Sequence, residues 1–206
     1  MPSTVGSDLA PLVARTRGPQ PARRIFHATC GLVLVAVLVW WAPPREFLVA
    51  ALGALTAGAF LADGLRFGVP AANRLFFRLF RSLASPREAS GVASSSWYLL
   101  GALLTVAIFP VPIAVSAILV LSLADPVASY CGRRWGKRPF GSGTILGSSL
   151  FLAVSILVLF PGWGPVAGGV TAVVVTLAER IPWPLDDNLT IPLITGMLLW
   201  SLLPLA

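Results

Sequence analysis

This chain alternates long apolar segments with short charged loops, a pattern that leaves few folds open to it. Of its 206 residues, 56% are hydrophobic and only 11% are charged, whereas about 25% of the residues of a soluble domain are charged. The mean hydropathy is +0.85. An apolar helix of about 20 residues crosses a bilayer and pairs its backbone polar groups internally. We therefore expect one all-α domain, folded as a polytopic helical bundle in a membrane.

Seven apolar segments are predicted to form transmembrane helices. Proline-rich turns separate several of them, as at Pro43-Pro44 and Pro110-Val-Pro112, because proline cannot continue a regular helix. The third segment is expected to start at a capping box formed by Ser85 and Glu88. The predicted spans are residues 24–41, 46–65, 86–109, 113–125, 144–160, 166–180 and 189–205.

The segment 66–88 differs from the spans because its cations fall on one helical face. Arg74, Arg78 and Arg81 recur at helical spacing, with leucine and phenylalanine on the other faces. A helix of this kind lies on the membrane surface. Its cations would contact lipid headgroups or, alternatively, the phosphates of a substrate.

The distribution of charge predicts the orientation of the bundle. With a cytoplasmic amino terminus, only Arg45 among the 15 Lys and Arg residues, and only Glu46 among the eight acids, fall in outer segments. This is the pattern of the positive-inside rule. All candidate chemistry then lies at the cytoplasmic face of a bacterial inner membrane, a plasma membrane or an ER-like membrane.

The net charge of +7 is explained by topology and by anionic membrane lipids, so we expect no nucleic-acid partner. Residues 1–22 are polar and contain proline, glycine and arginine. This composition predicts a disordered basic tail. Residues 23–206 are then the membrane-embedded domain.

An acid inside an apolar run, Asp125, is the strongest candidate for function. Intramembrane carboxylates are costly and usually functional. The pair Asp125-Pro126 also has the pattern of a helix start with an aspartate N-cap, which predicts a break in the membrane helix here. Ser129 and Arg133 follow at four-residue intervals, on the same helical face as Asp125.

Cations and glycines follow Asp125 in the loop that leads to residue 148. Basic side chains and exposed backbone N–H groups suit a polyphosphate, and a nearby carboxylate suits its magnesium ion. The candidates for nucleotide binding in this loop are Gly132, Arg133, Arg134, Gly136, Lys137 and Gly147. The alternative is a loop that is basic only to fix topology, with Asp125 as a helix cap.

Further acids lie near the carboxyl end of the chain, where Glu179 precedes the run Asp186-Asp187-Asn188. Such oxygen ligands could hold magnesium or accept a proton from a hydroxyl. We take Asp125, Glu179 and Asp187 as catalytic candidates. The candidate metal ligands are Asp125, Asp186, Asp187 and Asn188. The alternative for the acidic run is a cap on the last helix, with Asn188 as the N-cap.

The only histidine, His27, follows Arg23 and Arg24. In that setting His27 and Arg24 could contact a phosphate, although an interfacial histidine can equally be structural. The sequence shows no Ser/His/Asp order, zinc-ligand spacing, Walker loop or dinucleotide fingerprint.

Taken together, these motifs resemble the polyprenol kinase family, which includes dolichol, phytol and farnesol kinases and the CTP-dependent diacylglycerol kinases. The similar motifs are Arg-Arg-Ile-Phe-His27, Arg87-Glu88 followed by Gly91, Asp125-Pro-Val-Ala-Ser-Tyr-Cys-Gly-Arg-Arg-Trp-Gly136, Gly143-Thr-Ile-Leu-Gly-Ser148, and Glu179 with Asp186-Asp187-Asn188-Leu-Thr-Ile-Pro192. Their order and spacing span nearly the whole chain beyond the tail.

The resemblance implies a lipid kinase. Its substrates would be CTP or another nucleoside triphosphate and a lipid alcohol, either a polyprenol, a phytol-type alcohol or diacylglycerol. It would need Mg²⁺ or another divalent cation. The further site residues that it implies are Thr144, Ser148, Arg87 and Glu88.

The chain departs from this family in one motif. The family usually has Lys-[Ser/Thr]-x-Glu-Gly-Ser, but Gly143 and Leu146 stand here at the lysine and glutamate positions. We expect Lys137 or Arg138 to replace the missing cation. Two alternatives stay open. The region from Asp125 to Ser148 also resembles phosphatidate cytidylyltransferases, and a catalytically inactive lipid-binding or transport relative would explain the departure.

Overall fold

The structure, a computed structural model, describes residues 9–16, 18, 20–181 and 185–203. Apolar helices make up most of this part of the chain. The helices are α1 (Ala10–Ala14), α2 (Pro21–Ala36), α3 (Arg45–Gly68), α4 (Pro70–Leu79), α5 (Ser94–Ile108), α6 (Val111–Leu119), α7 (Asp125–Trp135), α8 (Ile145–Trp163), α9 (Gly169–Ala178) and α10 (Asp187–Ser201).

Shorter elements connect the helices. π-Helical segments extend α2 (Val37–Trp41), join α6 to α7 (Val120–Ala124) and precede α9 (Gly164–Gly168), and a 3₁₀ turn covers Pro86–Ala89. Strands β1 (Pro139–Phe140) and β2 (Gly143–Thr144) pair antiparallel as a hairpin between α7 and α8. The short helix α1 lies inside the predicted tail. The two prolines at 182 and 184 predict that 182–188 is not regular helix. Of this stretch, 182–184 lie outside the described residues, and α10 begins at Asp187.

Within the described residues, four helices are long and apolar enough to cross a membrane. They are Pro21–Trp41, Arg45–Gly68, Val111–Trp135 and Ile145–Ala178, and α5 is a shorter apolar helix. The all-α membrane class predicted from composition is therefore confirmed. Seven spans and the orientation of the amino terminus stay predictions.

The longest of these four stretches is not one straight rod. A straight helix of its 34 residues would be about 51 Å long, well beyond a hydrocarbon core of about 30 Å. Instead, Gly164 adopts φ = +68°, and α9 packs back against α8. A Cβ on Gly168 would lie 3.2 Å from the carbonyl carbon of Leu159. The chain thus turns near Gly164, inside the turn predicted at 161–165.

The predicted helix break at Asp125 is wrong. Helix α6, the π-helical segment and α7 run on as a single helix, Val111–Trp135. Asp125 itself has helical backbone angles, with φ −62° and ψ −51°. Pro126 removes one backbone donor and crowds the preceding turn, and a wider π-helical turn accommodates both effects. Asp125 is therefore half-buried in the middle of a helix and is not a cap.

The capping box predicted at Ser85 is also absent from the structure. Ser85 makes no side-chain cap, and the third apolar helix, α5, begins only at Ser94. The carboxylate of Glu88 is buried and forms an ion pair with Arg23 at 2.9 Å. It also accepts a hydrogen bond from the Ser94 N–H at 3.4 Å. A long-range ion pair has therefore replaced the local cap.

A buried polar network ties α3 to the segment that follows it. The Arg66 guanidinium donates to Asp63 at 2.6 Å, to Asn73 at 3.1 Å and to the carbonyl of Gly91 at 2.6 Å. Asp63 also accepts from the Ser96 hydroxyl at 2.6 Å. This network holds the start of α4 and the start of α5 against the end of α3.

Helix α4 has the amphipathic character that the arginine spacing predicts, but it is shorter than the predicted segment 66–88, because it covers only Pro70–Leu79 and ends before Arg81. Phe77 is fully buried, whereas Leu75, Arg78 and Leu79 are exposed. Its position on a membrane surface stays a prediction. At the opposite end of α3, Arg45 donates to the carbonyls of Val106, Ala107 and Phe109 and thereby caps the carboxyl end of α5.

Candidate active site

Four chain segments meet around Asp125 at one end of the bundle. Helix α2 supplies Arg24 and His27, the end of α9 supplies Glu179, and the start of α10 supplies two aspartates. Asp125 is close enough for its charge to act on all of them. The residues that feel this charge are Arg24, His27, Glu179, Asp186 and Asp187. The structure thus gathers sequence-predicted residues that lie up to about 160 positions apart into one cluster.

The same region contains most of the unsatisfied polar atoms of the described chain. Seven buried side-chain atoms of the described residues lack an assigned hydrogen bond, and five of them belong to this cluster. Two of the five, Glu179 Oε2 and Arg180 Nε, pair with each other as ions. The other three, Arg24 Nε, His27 Nε2 and Ser129 Oγ, have no partner among the described residues. Buried polar groups in folded proteins are nearly always satisfied. Such a concentration of unpaired donors and acceptors indicates a place for a polar ligand.

Two neighbouring groups hold His27 in place. The ring of Tyr98 packs edge-on against the imidazole, with centroids 4.7 Å apart. The Tyr98 hydroxyl lies 3.4 Å from the Ser122 hydroxyl. Gly31, one turn along α2, leaves room for both hydroxyls, since a Cβ there would lie 2.8 Å from the Tyr98 oxygen. These contacts limit the movement of the imidazole, on which the charges of Asp125 and Asp186 act.

Glu179 is the acid best suited to accept a proton. Its carboxylate is buried, with 7% of its surface exposed. Burial raises the pKa of Glu179 to about 7, the neighbouring Arg180 opposes that shift, and the charges of Asp125 and Asp187 add to it. A carboxylate that titrates near neutrality is a suitable general base.

The three polar residues at the start of α10 have different roles. Asp186 is the N-cap, and its Oδ1 accepts from the Asn188 N–H at 3.1 Å and from Asn188 Nδ2 at 2.6 Å. The alternative that placed Asn188 at the N-cap is therefore wrong. Asn188 also donates to the Ser94 carbonyl at 3.3 Å. Asp187 makes no hydrogen bond or ion pair within the described part of the chain, which leaves its carboxylate available for a ligand.

The glycines of the loop serve first in packing α7 against the start of α8. A Cβ on Gly132 would lie 2.9 Å from the Thr144 hydroxyl, and one on Gly136 would overlap the same side chain. Thr144 is the N-cap of α8 and accepts from the Gly147 N–H at 3.2 Å, while Ser148 donates to the Thr144 carbonyl at 3.2 Å. Close packing and capping account for these residues, and their binding of a nucleotide stays a prediction.

The basic residues lie at different distances from the acids. Arg133 and Arg87 are exposed, and their charges act on Arg24 and Asp187 respectively. Arg134 and Lys137 are exposed at the end of α7, and the described residues show no contact between them and the Asp125 cluster.

The donor chemistry of the cluster fits a divalent cation that arrives with a nucleotide. Carboxylate oxygens of Asp125 and Asp187 are hard ligands of the kind that Mg²⁺ prefers. Among the described residues, no three His, Cys, Asp or Glu side chains form a complete metal site. A magnesium ion shared with phosphates needs only one or two carboxylates from the protein, so the residues fit a shared ion better than a resident one.

Two residues of the site were not identified from the sequence. Arg23 binds Glu88 at 2.9 Å and Ser94 Oγ at 2.6 Å, and its charge acts on His27 and Asp186. Arg180 forms an ion pair with Glu179. In the sequence, the feature that indicates Arg180 is its position next to an acid, at the predicted cytoplasmic end of a span.

Curated proteins similar to this chain include three CTP-dependent diacylglycerol kinases. The protein of Schizosaccharomyces pombe is 29% identical over 70% of this chain and 76% of its own length. That of Eremothecium gossypii is 24% identical over 88% of this chain and 66% of its own length. That of Saccharomyces cerevisiae is 22% identical over 85% and 70%.

No protein-family model and no solved structure matches the chain. The relatives nevertheless belong to the lipid-kinase group that the motifs resemble, which confirms the recognition made from the sequence. This chain is therefore a homologue of lipid kinases that are named for their dependence on CTP and their action on diacylglycerol.

Proposed function

We propose that this protein is a CTP-dependent lipid kinase that transfers the terminal phosphate of CTP to the hydroxyl of diacylglycerol. The observation that carries the proposal is the Asp125 cluster, where cations, acids and three buried polar atoms without a hydrogen-bond partner meet. The names of the three relatives supply the donor and the acceptor. The cluster supplies groups suited to phosphoryl transfer, which depends on positioning and charge.

The cluster contains separate groups for the nucleotide and for the reacting hydroxyl. Arg24 and His27 face the acids from α2, and Arg133 extends the positive charge along α7. These three side chains would contact the phosphates. Asp125 and Asp187 would hold a divalent cation between them and the nucleotide. When bound, that cation would offset the negative charge on the phosphates.

Glu179 would act on the acceptor. The hydroxyl oxygen of the lipid attacks the terminal phosphorus and forms a new O–P bond. The bond from that phosphorus to the bridging oxygen breaks, and CDP leaves. The hydroxyl proton passes to Glu179, whose buried carboxylate is suited to receive it.

Purified protein in mixed micelles should convert diacylglycerol and CTP labelled on the terminal phosphate into labelled phosphatidate. ATP in place of CTP, and dolichol or phytol in place of diacylglycerol, should give much less product. Transfer of the label to a polyprenol would instead identify another acceptor. Formation of CDP-diacylglycerol from phosphatidate would establish a cytidylyltransferase, and a folded protein without turnover would support the inactive relative.

The seven-span topology is part of this proposal. It places the amino terminus and the Asp125 cluster in the cytoplasm and the carboxyl terminus outside. Reporter fusions at residues 1 and 206 should therefore give opposite signals, and fusions at Pro44 and Pro112 should report the outer side. Signals from the same side at both termini would contradict seven spans.

A further inference from the structure

We infer that Arg180 is a phosphate-binding residue of this site, placed beneath the β1–β2 hairpin by two glycines. The inference rests on the proposed function and adds a cation that the sequence motifs did not identify. The hairpin and the end of α9 fit together through Arg180.

The two glycines of the hairpin make room for Arg180. A Cβ on Gly143 would overlap the Arg180 guanidinium. Gly141 has φ = +55°, and a Cβ there would lie 2.6 Å from the Arg180 carbonyl oxygen and 2.9 Å from its Cβ. Between them, the Ser142 N–H donates to the Arg180 carbonyl at 3.2 Å. No other side chain could occupy either position without moving the arginine.

The guanidinium of Arg180 is buried but only partly used. Arg180 is only 8% exposed, and its Nε forms an ion pair with the Glu179 carboxylate. The two terminal nitrogens of the guanidinium make no hydrogen bond within the part of the chain that the structure describes. A buried arginine with an unused donor is suited to bind phosphate oxygens, which accept charge-assisted hydrogen bonds.

The surroundings of Arg180 are those of the active site. Its charge acts on Glu179 and on Asp187, two of the acids that surround Asp125. A cation among acids offsets their repulsion and leaves the site able to accept a polyphosphate. Lys137 and Arg138, which the sequence suggested as substitute cations, are both exposed.

The placement of Arg180 also explains the departure at position 143. Similar kinases usually carry a lysine at this position, and this chain has glycine. A lysine side chain would need the space that the Arg180 guanidinium fills. In this chain the cation next to position 143 is therefore the Arg180 guanidinium, which comes from the end of α9 and not from the hairpin.

The test compares CTP with CMP, because loss of a phosphate contact affects the triphosphate more than the monophosphate, whereas loss of fold affects both alike. Isothermal titration of full-length protein in detergent should show that Arg180→Ala lowers the ratio of CTP to CMP affinity by about tenfold or more. The double variant Arg180→Ala/Gly143→Lys should recover most of that ratio. Arg15→Ala, at an exposed arginine that follows α1, should leave it unchanged.

An unchanged affinity ratio in Arg180→Ala would overturn the inference and leave Arg180 as a brace for the hairpin. Failure of the double variant to recover the ratio would also overturn the placement of the cation at position 143. If Arg180→Ala does not fold, Arg180→Gln keeps more of the side chain and a neutral donor and is judged by the same ratio. If the unmodified protein binds no CTP, the proposed function itself fails, and this result differs from all the others.

Discussion

Asp125→Asn is expected to lower turnover on the order of a hundredfold or more, as is typical when one fixed electrostatic group of an active site is removed. The amide keeps the size of the carboxylate but is a poor ligand for magnesium. Stability should change little, because Asp125 has no hydrogen bond or ion pair within the described residues. The rate of phosphatidate formation and the thermal unfolding temperature together measure the two effects.

The matched control for this substitution is Glu46→Gln. Glu46 is exposed in the first turn of α3, far from the cluster in sequence and on the predicted outer side. The substitution Glu46→Gln removes one carboxylate charge and should leave turnover unchanged. An Asp125→Asn protein with normal turnover would show that this carboxylate is not needed for catalysis and would remove the centre of the proposed site.

Asp63→Ala is expected to be the most destabilising single change, with a cost of about 3–5 kcal/mol in the free energy of unfolding. It leaves the Arg66 guanidinium buried without its counter-ion, since both side chains are about 4% exposed. It also removes the acceptor for the Ala93 N–H, at 3.0 Å, and for the Ser96 hydroxyl. Denaturant unfolding in detergent micelles, followed by tryptophan fluorescence, measures this loss.

A double substitution separates the buried charge from the rest of the network. Asp63→Leu/Arg66→Met replaces both charges with apolar side chains and should be less destabilising than Asp63→Ala alone, because no unpaired ion is left. A double variant that is less stable than the single variant would show that the hydrogen bonds to the 89–93 segment, and not the ion pair, dominate this network.

The first two helices could be predicted from the sequence with small errors in their ends, whereas the predicted start of the third and the predicted end of the fourth were wrong by eight and ten residues. The first two predicted spans, 24–41 and 46–65, correspond to the helices Pro21–Trp41 and Arg45–Gly68. Apolar length is a local property, so it is visible in the residues themselves. The grouping of site residues was also predictable, because the positive-inside rule places all their segments at one face.

Features that depend on distant contacts could not be predicted. Ser85 and Glu88 satisfy the local pattern of a capping box, but Glu88 pairs with Arg23, more than 60 residues away. The contact between Gly143 and Arg180 likewise joins two separate segments. In both cases the side chain contacts a partner from a distant segment of the chain, which the local sequence pattern does not show.

The π-helical turn at Val120–Ala124 decides what the last part of this helix presents to lipid. A π turn holds about one residue more than an α turn, and one extra residue rotates everything after it by about 100°. Without that rotation, the stripe formed by Asp125, Ser129 and Arg133 would point in another direction. A carboxylate turned toward lipid costs roughly 2.5–3.5 kcal/mol. Deletion of one residue from this turn would therefore turn charged side chains toward the bilayer. Every residue of the active site would still be present in the sequence.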